Sequence, residues 1–182
     1  TSVDWLGRLV ETLSGKNLDE YLRERIFVPL QMFDTYYNVP ESKQPRVVTV
    51  HRRQDGRPDG AVTEVPNPVP LRVVTSFNGG GGETSTAGDY LRFLRMLMNG
   101  GQLDGARILS ADTVALMGRN HMGDVSVPAV PTALPQQSMD FTFINNRRDK
   151  WGLGFLITTE HVAGKRYAGS LSWGGIDNTY FW

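Results

Sequence analysis

The chain has 182 residues, 40% of them hydrophobic and 21% charged, and its 19 basic and 19 acidic side chains cancel to a formal net charge of zero. That composition supports one globular domain or two small lobes rather than a disordered chain, and it leaves no net field to draw in nucleic acid or an anionic membrane, so a small neutral molecule is the expected partner. With no cysteine there is no disulfide, thiol nucleophile or thiolate metal site, and no apolar run approaches the roughly 18 residues of a membrane-spanning helix.

In chain order, the first element is a helix. Trp5, Leu6, Leu9, Val10 and Leu13 recur at three- and four-residue steps, and Gly15 suits the left-handed position after a helix end. This predicts about three helical turns. Asn17, with Glu20 three places on, has the form of a capping box opening a second helix whose buried stripe is Tyr21, Leu22 and Ile26, stopped by Pro29. Six of the ten prolines then fall between Pro40 and Pro70. Within that irregular stretch Val47 to His51 and Ala61 to Val65 are strand candidates around a turn-rich segment, which predicts a surface hairpin.

The run Gly79-Gly80-Gly81-Gly82 precedes the most regular helix signal in the chain. Ser85 or Thr86 can cap it, Asp89 favours its positive end, and Tyr90, Phe93, Leu94, Leu97 and Met98 make an apolar face before Asn99-Gly100-Gly101 ends it. A short helix starts at the Ser110 cap and turns Val114 and Met117 inward, and a long loop runs from Gly118 to about Lys150. Trp151 to Thr159 reads as a buried strand containing two glycines, Arg166 to Ser172 as a second strand and Thr179 to Trp182 as the opening of a third; short connections make these antiparallel neighbours. The organisation expected is a mostly helical region with long Pro/Gly-rich loops over 1–150, followed by antiparallel strands over 151–182. The chain stops inside an apolar strand, and truncation at the C-terminus is the expectation drawn from that.

Several features invite chemistry that their surroundings do not support. The glycine run lacks the Gly-Lys-Ser/Thr ending and preceding strand of a phosphate cradle, so a flexible turn is the better reading. Ser170 and Ser172 do not stand in a Gly-x-Ser-x-Gly elbow and read as strand residues. His51, His121 and His161 are far apart without metal-ligand spacing, and no metal or cofactor is expected. Arg52-Arg53 and Arg147-Arg148 read as solvated loop charges. Trp151 and Phe141 are candidates for an acyl pocket, although aromatic residues beside strands are more often core.

The remaining signal is Trp173-Gly174-Gly175, and it carries weight only with other stretches in order: Asp4-Trp5-Leu6-Gly7, Ser14-Gly15-Lys16, Ile26-Phe27-Val28-Pro29-Leu30-Gln31-Met32-Phe33-Asp34-Thr35, the glycine run into Ser85-Thr86-Ala87-Gly88-Asp89-Tyr90, Met96-Leu97-Met98-Asn99-Gly100-Gly101 and Trp151-Gly152-Leu153-Gly154. Together these resemble the serine β-lactamase and penicillin-binding-protein superfamily, in particular its class C-like branch with the family VIII carboxylesterases. Gln31 departs from the glycine usual at its position, and Glu83 from an apolar residue. The resemblance implies an α+β, β-lactamase/transpeptidase-like fold fragment, a helical region followed by antiparallel strands of the main sheet. It also implies a Ser-x-x-Lys nucleophile motif, and no serine in this chain has Lys three residues later. By spacing, the family's catalytic Tyr falls just before Thr1, and Thr1 takes the third place of that motif.

What the resemblance assigns to this chain is one wall of the site. Trp173, Gly174 and Gly175 stand where related β-lactamases have Lys-Thr-Gly, and the backbone N–H of Ile176 is the expected oxyanion donor. Thr1, Trp173, Gly174 and Gly175 are the expected substrate-binding residues, with the nucleophilic Ser, its Lys and the Tyr outside the chain. The function expected is that of a serine hydrolase segment working through an acyl-enzyme on small ester or amide substrates, inactive in isolation. The Trp in place of Lys favours an esterase, because the cation that meets a β-lactam carboxylate is missing. The alternative is a nucleophile-free binding or regulatory module on the same scaffold, and a third reading is an unrelated α+β domain. Compartment and oligomeric state are left open.

Overall fold

A computed structural model of the chain describes residues 2–54, 60–68, 70–134, 140–141, 148–161, 163–175 and 179–182. Two compact units result, one formed by Thr1–Val48 with Asn67–Ala111 and the other by Thr49–Pro66 with Asp112–Trp182. No helix among the described residues is long and apolar enough to cross a membrane.

The first unit opens with helix α1, Ser2–Ser14. It ends as its sequence predicts: Gly15 has φ 69° and its N–H donates to the Glu11 carbonyl at 2.9 Å. The face that α1 buries is set by a glycine rather than by its apolar stripe. Gly7 backs onto Gly79 so closely that a Cβ on Gly79 would stand 2.4 Å from the Val3 carbonyl, while Trp5, Leu6, Leu9 and Leu13 are exposed. Helix α2, Leu18–Leu22, starts on half of the predicted capping box, with Asn17 Oδ1 accepting from the Glu20 N–H at 2.9 Å. It then widens into one π turn, Arg23–Phe27, instead of running to Pro29. Leu18 and Phe27 are the buried residues of this segment, and Tyr21, Leu22 and Ile26 are half-buried.

Gln31 follows the π turn at φ 56°, and the Met32 N–H reaches back to the Phe27 carbonyl at 2.8 Å. The left-handed backbone explains why glycine suits this position and why Gln is strained there.

Helix α3, Ala87–Met98, is capped by Thr86, whose Oγ1 accepts from the Asp89 N–H at 3.1 Å. Gly100 and Gly101 close it at φ 63° and 91°, and Gly101 donates to the Met96 carbonyl at 2.9 Å. Its buried face differs from the one the periodicity proposes: Met96 is 0% exposed and Met98 88%. Met96 packs with Phe27, Leu30, Met32 and Leu103 in the core of this unit, flanked by Phe93 and Leu97. Asp89 also joins distant chain, accepting from the Asp34 N–H at 2.7 Å and the Thr35 hydroxyl at 2.9 Å. The Asp34 carboxylate accepts in turn from Lys43 and, at 2.8 Å, from Arg46. After α3 the strands β3, Gln102–Leu103, and β4, Ala106–Arg107, form a hairpin absent from the sequence reading. Its turn is Asp104-Gly105, both at positive φ, and that dipeptide is itself a hairpin signal.

In the second unit β1, Val50–Arg53, pairs antiparallel with β2, Val62–Val65, so the predicted hairpin is present. Its first strand starts three residues later than expected, since the Val47 and Val48 carbonyls are taken by the Asn67 side-chain amide at 3.3 and 3.0 Å. Helix α4, Ala111–Met117, leaves Val114 and Met117 half-buried. A four-stranded antiparallel sheet in the order β5-β6-β7-β8 completes the unit: Lys150–Trp151, Leu156–Ile157, Leu171–Gly174 and Tyr180–Phe181. The stretch read as one strand from Trp151 to Thr159 is thus two short strands around a Gly152-Leu153-Gly154 turn. The glycines mark the reversal, with Gly154 at φ 88°.

Two stability measurements follow from the first unit. Gln31→Gly removes the left-handed strain and is expected to raise the unfolding free energy by about 0.5–1 kcal/mol in urea denaturation, less than the full αL cost because glycine also loosens the unfolded chain. The hydrogen bonds from Lys43 and then Arg46 hold the Asp34 carboxyl below its usual range. A depressed carboxyl stabilises the fold above its unfolded pKa and loses that contribution as pH falls through the folded value. Stability is therefore expected to decline on acidification below about pH 4, and Asp34→Asn to flatten that decline in a pH series of thermal melts.

Candidate functional site

The sheet of the second unit places Trp173, Gly174 and Gly175 at the point where β7 changes partners. Over its first half β7 pairs with β6, Leu171 facing Ile157 and Ser172 facing Leu156; over its second half it pairs with β8, Trp173 facing Phe181 and Gly174 facing Tyr180. The Gly175 N–H donates to the Thr179 carbonyl at 2.8 Å. Backbone groups of an antiparallel strand alternate sides, so if Gly175 donates toward β8, the N–H and C=O of Gly174 point the other way. That is the side β6 would cover if it continued. It does not: β6 begins at Leu156, and the chain before it turns away through Gly154. Among the described residues no strand covers Gly174 on that side.

The side chains around this edge are aromatic. Trp173, 41% exposed, meets Trp151 edge-on at 4.6 Å between ring centroids and Phe141 at 5.8 Å. Edge-to-face contacts at such distances are favourable beyond simple burial. Trp151 also packs on the small core of Val127 and Leu156. Trp151 and Phe141 thus join the triplet, Trp151 partly as core and Phe141 half out in solvent. Phe141 is held by a reciprocal backbone bridge to Val130 at 2.9 and 3.0 Å.

What keeps β6 short is a close approach behind it. A Cβ on Gly152 would lie 2.1 Å from the Met117 carbonyl oxygen, Gly152 donates to the Phe155 carbonyl at 2.8 Å, and Leu153 donates to the same Met117 carbonyl at 2.9 Å. The turn is therefore clamped beneath the end of α4. Gly174 has more room, its nearest added-Cβ neighbours being Phe141 and the Thr179 carbonyl at 3.5 Å.

Other sequence candidates fall elsewhere. Ser172 is 1% exposed and its Oγ accepts a hydrogen bond from Arg166 Nη1, which removes it as a nucleophile. Ser170 gives its carbonyl to the Thr158 N–H at 2.9 Å. In the first unit the glycine run is a packing device, with the Gly80 N–H donating to Asp4 Oδ1 at 3.0 Å, so a carboxylate of the chain itself occupies that amide. The three histidines serve separate local roles: His51 lies on β1, His121 Nε2 is bonded to the Leu116 carbonyl at 2.9 Å, and His161 stacks on Tyr167 at 4.5 Å. No group of three or more His, Cys, Asp or Glu among the described residues is placed to hold a metal ion. Thr1 and Ile176 lie outside the described residues. Arg166 was not a candidate from sequence, and its six-residue separation from Ser172 has no periodic signature.

These packing differences set a stability test. Gly152→Ala drives a methyl into a backbone carbonyl and is expected to cost about 1–3 kcal/mol or prevent folding, whereas Gly174→Ala is expected to stay within about 1 kcal/mol of the parent in denaturant titration.

Comparison with known proteins places this geometry. The Beta-lactamase family model matches residues 1–182. The chain is 32% identical over 179 residues to the lovastatin esterase of Penicillium rubens, covering 95% of this chain and 43% of that protein. It is 35% identical over 121 residues to penicillin-binding protein 4 of Amycolatopsis lactamdurans, covering 65% of this chain and 30% of that protein. A solved structure of simvastatin synthase from Aspergillus terreus superposes with a TM-score of 0.71 at 25% identity, covering 94% of this chain and 42% of that one. The chain thus spans less than half the length of each of these proteins, and its α+β arrangement is that of a fragment of the β-lactamase/transpeptidase-like fold.

Proposed function

Since the chain belongs to the Beta-lactamase family, we propose that it is a segment of a serine hydrolase that turns over small ester or amide substrates through an acyl-enzyme, and that it supplies the Trp-Gly-Gly wall of the cleft. The observation that carries this reading is the uncovered edge of β7, where the Gly174 backbone points away from β8 past the end of β6. A glycine edge admits a substrate carbonyl close to the main chain. The Ile176 N–H, at the residue after the triplet, is the proposed oxyanion donor, and Thr1, Trp173, Gly174 and Gly175 are the proposed substrate contacts.

In this reading the rest of the polypeptide contributes the Ser, Lys and Tyr. The Lys, helped by the Tyr phenol, removes the Ser proton as Oγ adds to the substrate carbonyl; the tetrahedral oxyanion collapses, the leaving alcohol or amine departs with a proton, and water then cleaves the acyl-enzyme. The wall accelerates both additions by stabilising charge that exists only in the transition state, an effect worth about 3 kcal/mol per donor. The aromatic group of Trp173, Trp151 and Phe141 gives this edge an apolar lining suited to an acyl chain, and Trp173 offers no cation for a β-lactam carboxylate. An esterase fits those two facts better than a β-lactamase.

The test is the full-length gene product assayed with a p-nitrophenyl ester and a chromogenic cephalosporin side by side. Ester hydrolysis well in excess of cephalosporin hydrolysis is expected. Cephalosporin hydrolysis alone refutes the esterase preference, and inactivity toward both, with no Ser-x-x-Lys upstream, favours a nucleophile-free binding module.

A further inference from the structure

The strand that carries the wall is tied from behind by a charged side chain that the proposed chemistry does not use. Arg166 lies in the connection leading into β7, half-buried, and its Nη1 donates to the Oγ of Ser172, the residue immediately before Trp173. The same guanidinium sits 5.3 Å from the ring centroid of Trp182, which follows Phe181, the partner of Trp173 on β8. Trp182 in turn stacks on Tyr180 at 5.2 Å with nearly parallel planes. One side chain therefore touches both arms of the β7–β8 hairpin, at the cross-strand position next to the Trp173–Phe181 pair.

Asp149, directly before β5, is 0% exposed. Its Oδ1 accepts from the Thr159 N–H at 3.3 Å, while its Oδ2 has no hydrogen-bond partner among the described residues. Burial lowers the Arg166 pKa, and the Asp149 charge opposes that. Thr158, whose register extends that of Ile157 with Lys150 and so faces Asp149, is also fully buried, and its hydroxyl has no hydrogen-bond partner among the described residues. The same register continues from Thr158 to Ser170, just before β7, whose carbonyl accepts from the Thr158 N–H at 2.9 Å.

We propose that Arg166 is a positioning residue for the Trp173-Gly174-Gly175 edge, locking β7 to β8 through Ser172 and Trp182. The proposal rests on the reading of that edge as the substrate-facing wall. Arg166 touches no reacting atom in this arrangement; it acts by holding the Gly174 backbone where β7 leaves β6. A guanidinium can bond a hydroxyl and lie over an aromatic ring at once, which a lysine ammonium on its flexible stem does poorly.

The experiment compares Arg166→Ala, Arg166→Lys, Ser172→Ala and the Arg166→Ala/Ser172→Ala double variant in the full-length gene product, reading kcat and KM with the p-nitrophenyl ester and amide hydrogen exchange at Trp173, Gly175 and Phe181, whose N–H groups face the partner strand. Both alanine variants are expected to lower kcat by about tenfold or more with KM within about twofold, since misplaced catalytic geometry costs rate rather than binding. The double variant is expected to be no worse than the worse single one. Exchange at the three amides should quicken in parallel, Arg166→Lys should recover little, and added guanidinium should restore Arg166→Ala but not Ser172→Ala. A lower melting temperature with parental kcat and parental exchange at these amides overturns the proposal, as does additivity of the two single effects. If Arg166→Ala does not fold, Ser172→Ala, which deletes one buried hydroxyl without touching the backbone, decides. If the parent hydrolyses neither substrate, the hydrolase reading fails on its own, and the exchange data still decide whether Arg166 holds the strand.

Discussion

The candidate site depends on a clash that glycine avoids. Gly152 lies so close to the Met117 carbonyl that any side chain would collide with it, and this contact lets the chain reverse within the four residues between β5 and β6. Because it reverses there, β6 contains only Leu156 and Ile157. Because β6 is that short, among the described residues β7 is paired on one side alone from Trp173 onward. The open backbone at Gly174 is thus a consequence of packing at the far end of the hairpin, transmitted through register. A longer β6 would pair the same amide within the sheet.

The two faces of this region follow different physics. Around the edge, Trp151, Trp173 and Phe141 make ring contacts that are non-polar and partly exposed. Elsewhere in the sheet region, Asp149, Thr158 and Ser172 are buried polar groups, and Asp149 Oδ2 and Thr158 Oγ1 have no hydrogen-bond partner among the described residues. Buried polar atoms are retained at a cost in stability, and here that cost falls beside β5 and β6, while Ser172 on β7 is bonded by Arg166. The first unit spends its polar contacts differently. Asp89 and Asp34 join the start of α3 to the segment after the π turn, which stabilises the local fold with no open edge.

Local signals were legible where the physics is local. The ends of α1 and α3 were readable because Gly15, Gly100 and Gly101 adopt the left-handed backbone that few other residues tolerate. The Thr86 and Asn17 caps were readable because a short side chain three residues from an orphan amide has few other roles. The Asp104-Gly105 hairpin carried an equally local signal that the glycine-rich helix end beside it obscured. Which residues face inward was less legible. Met96 and Met98 have the same chemistry two positions apart, and only the packing against Leu30 and Leu103 separates the buried one from the exposed one. The stretch from Trp151 to Thr159 misled for a related reason, since its apolar run fits a single buried strand until the contact at Gly152 is known.

The sequence by itself determined the family, through the order and spacing of stretches that include Trp173-Gly174-Gly175, and it determined the caps, the glycine turns and the absence of a Ser-x-x-Lys pair within these residues. Tertiary structure decided which backbone groups of that triplet are open, which serine is sealed and which charge lies behind the strand. The division has a physical cause. Caps and turns depend on atoms within four residues of each other, whereas the exposure of Gly174 depends on where a neighbouring strand ends, and the Arg166 to Ser172 contact depends on a loop returning to the sheet.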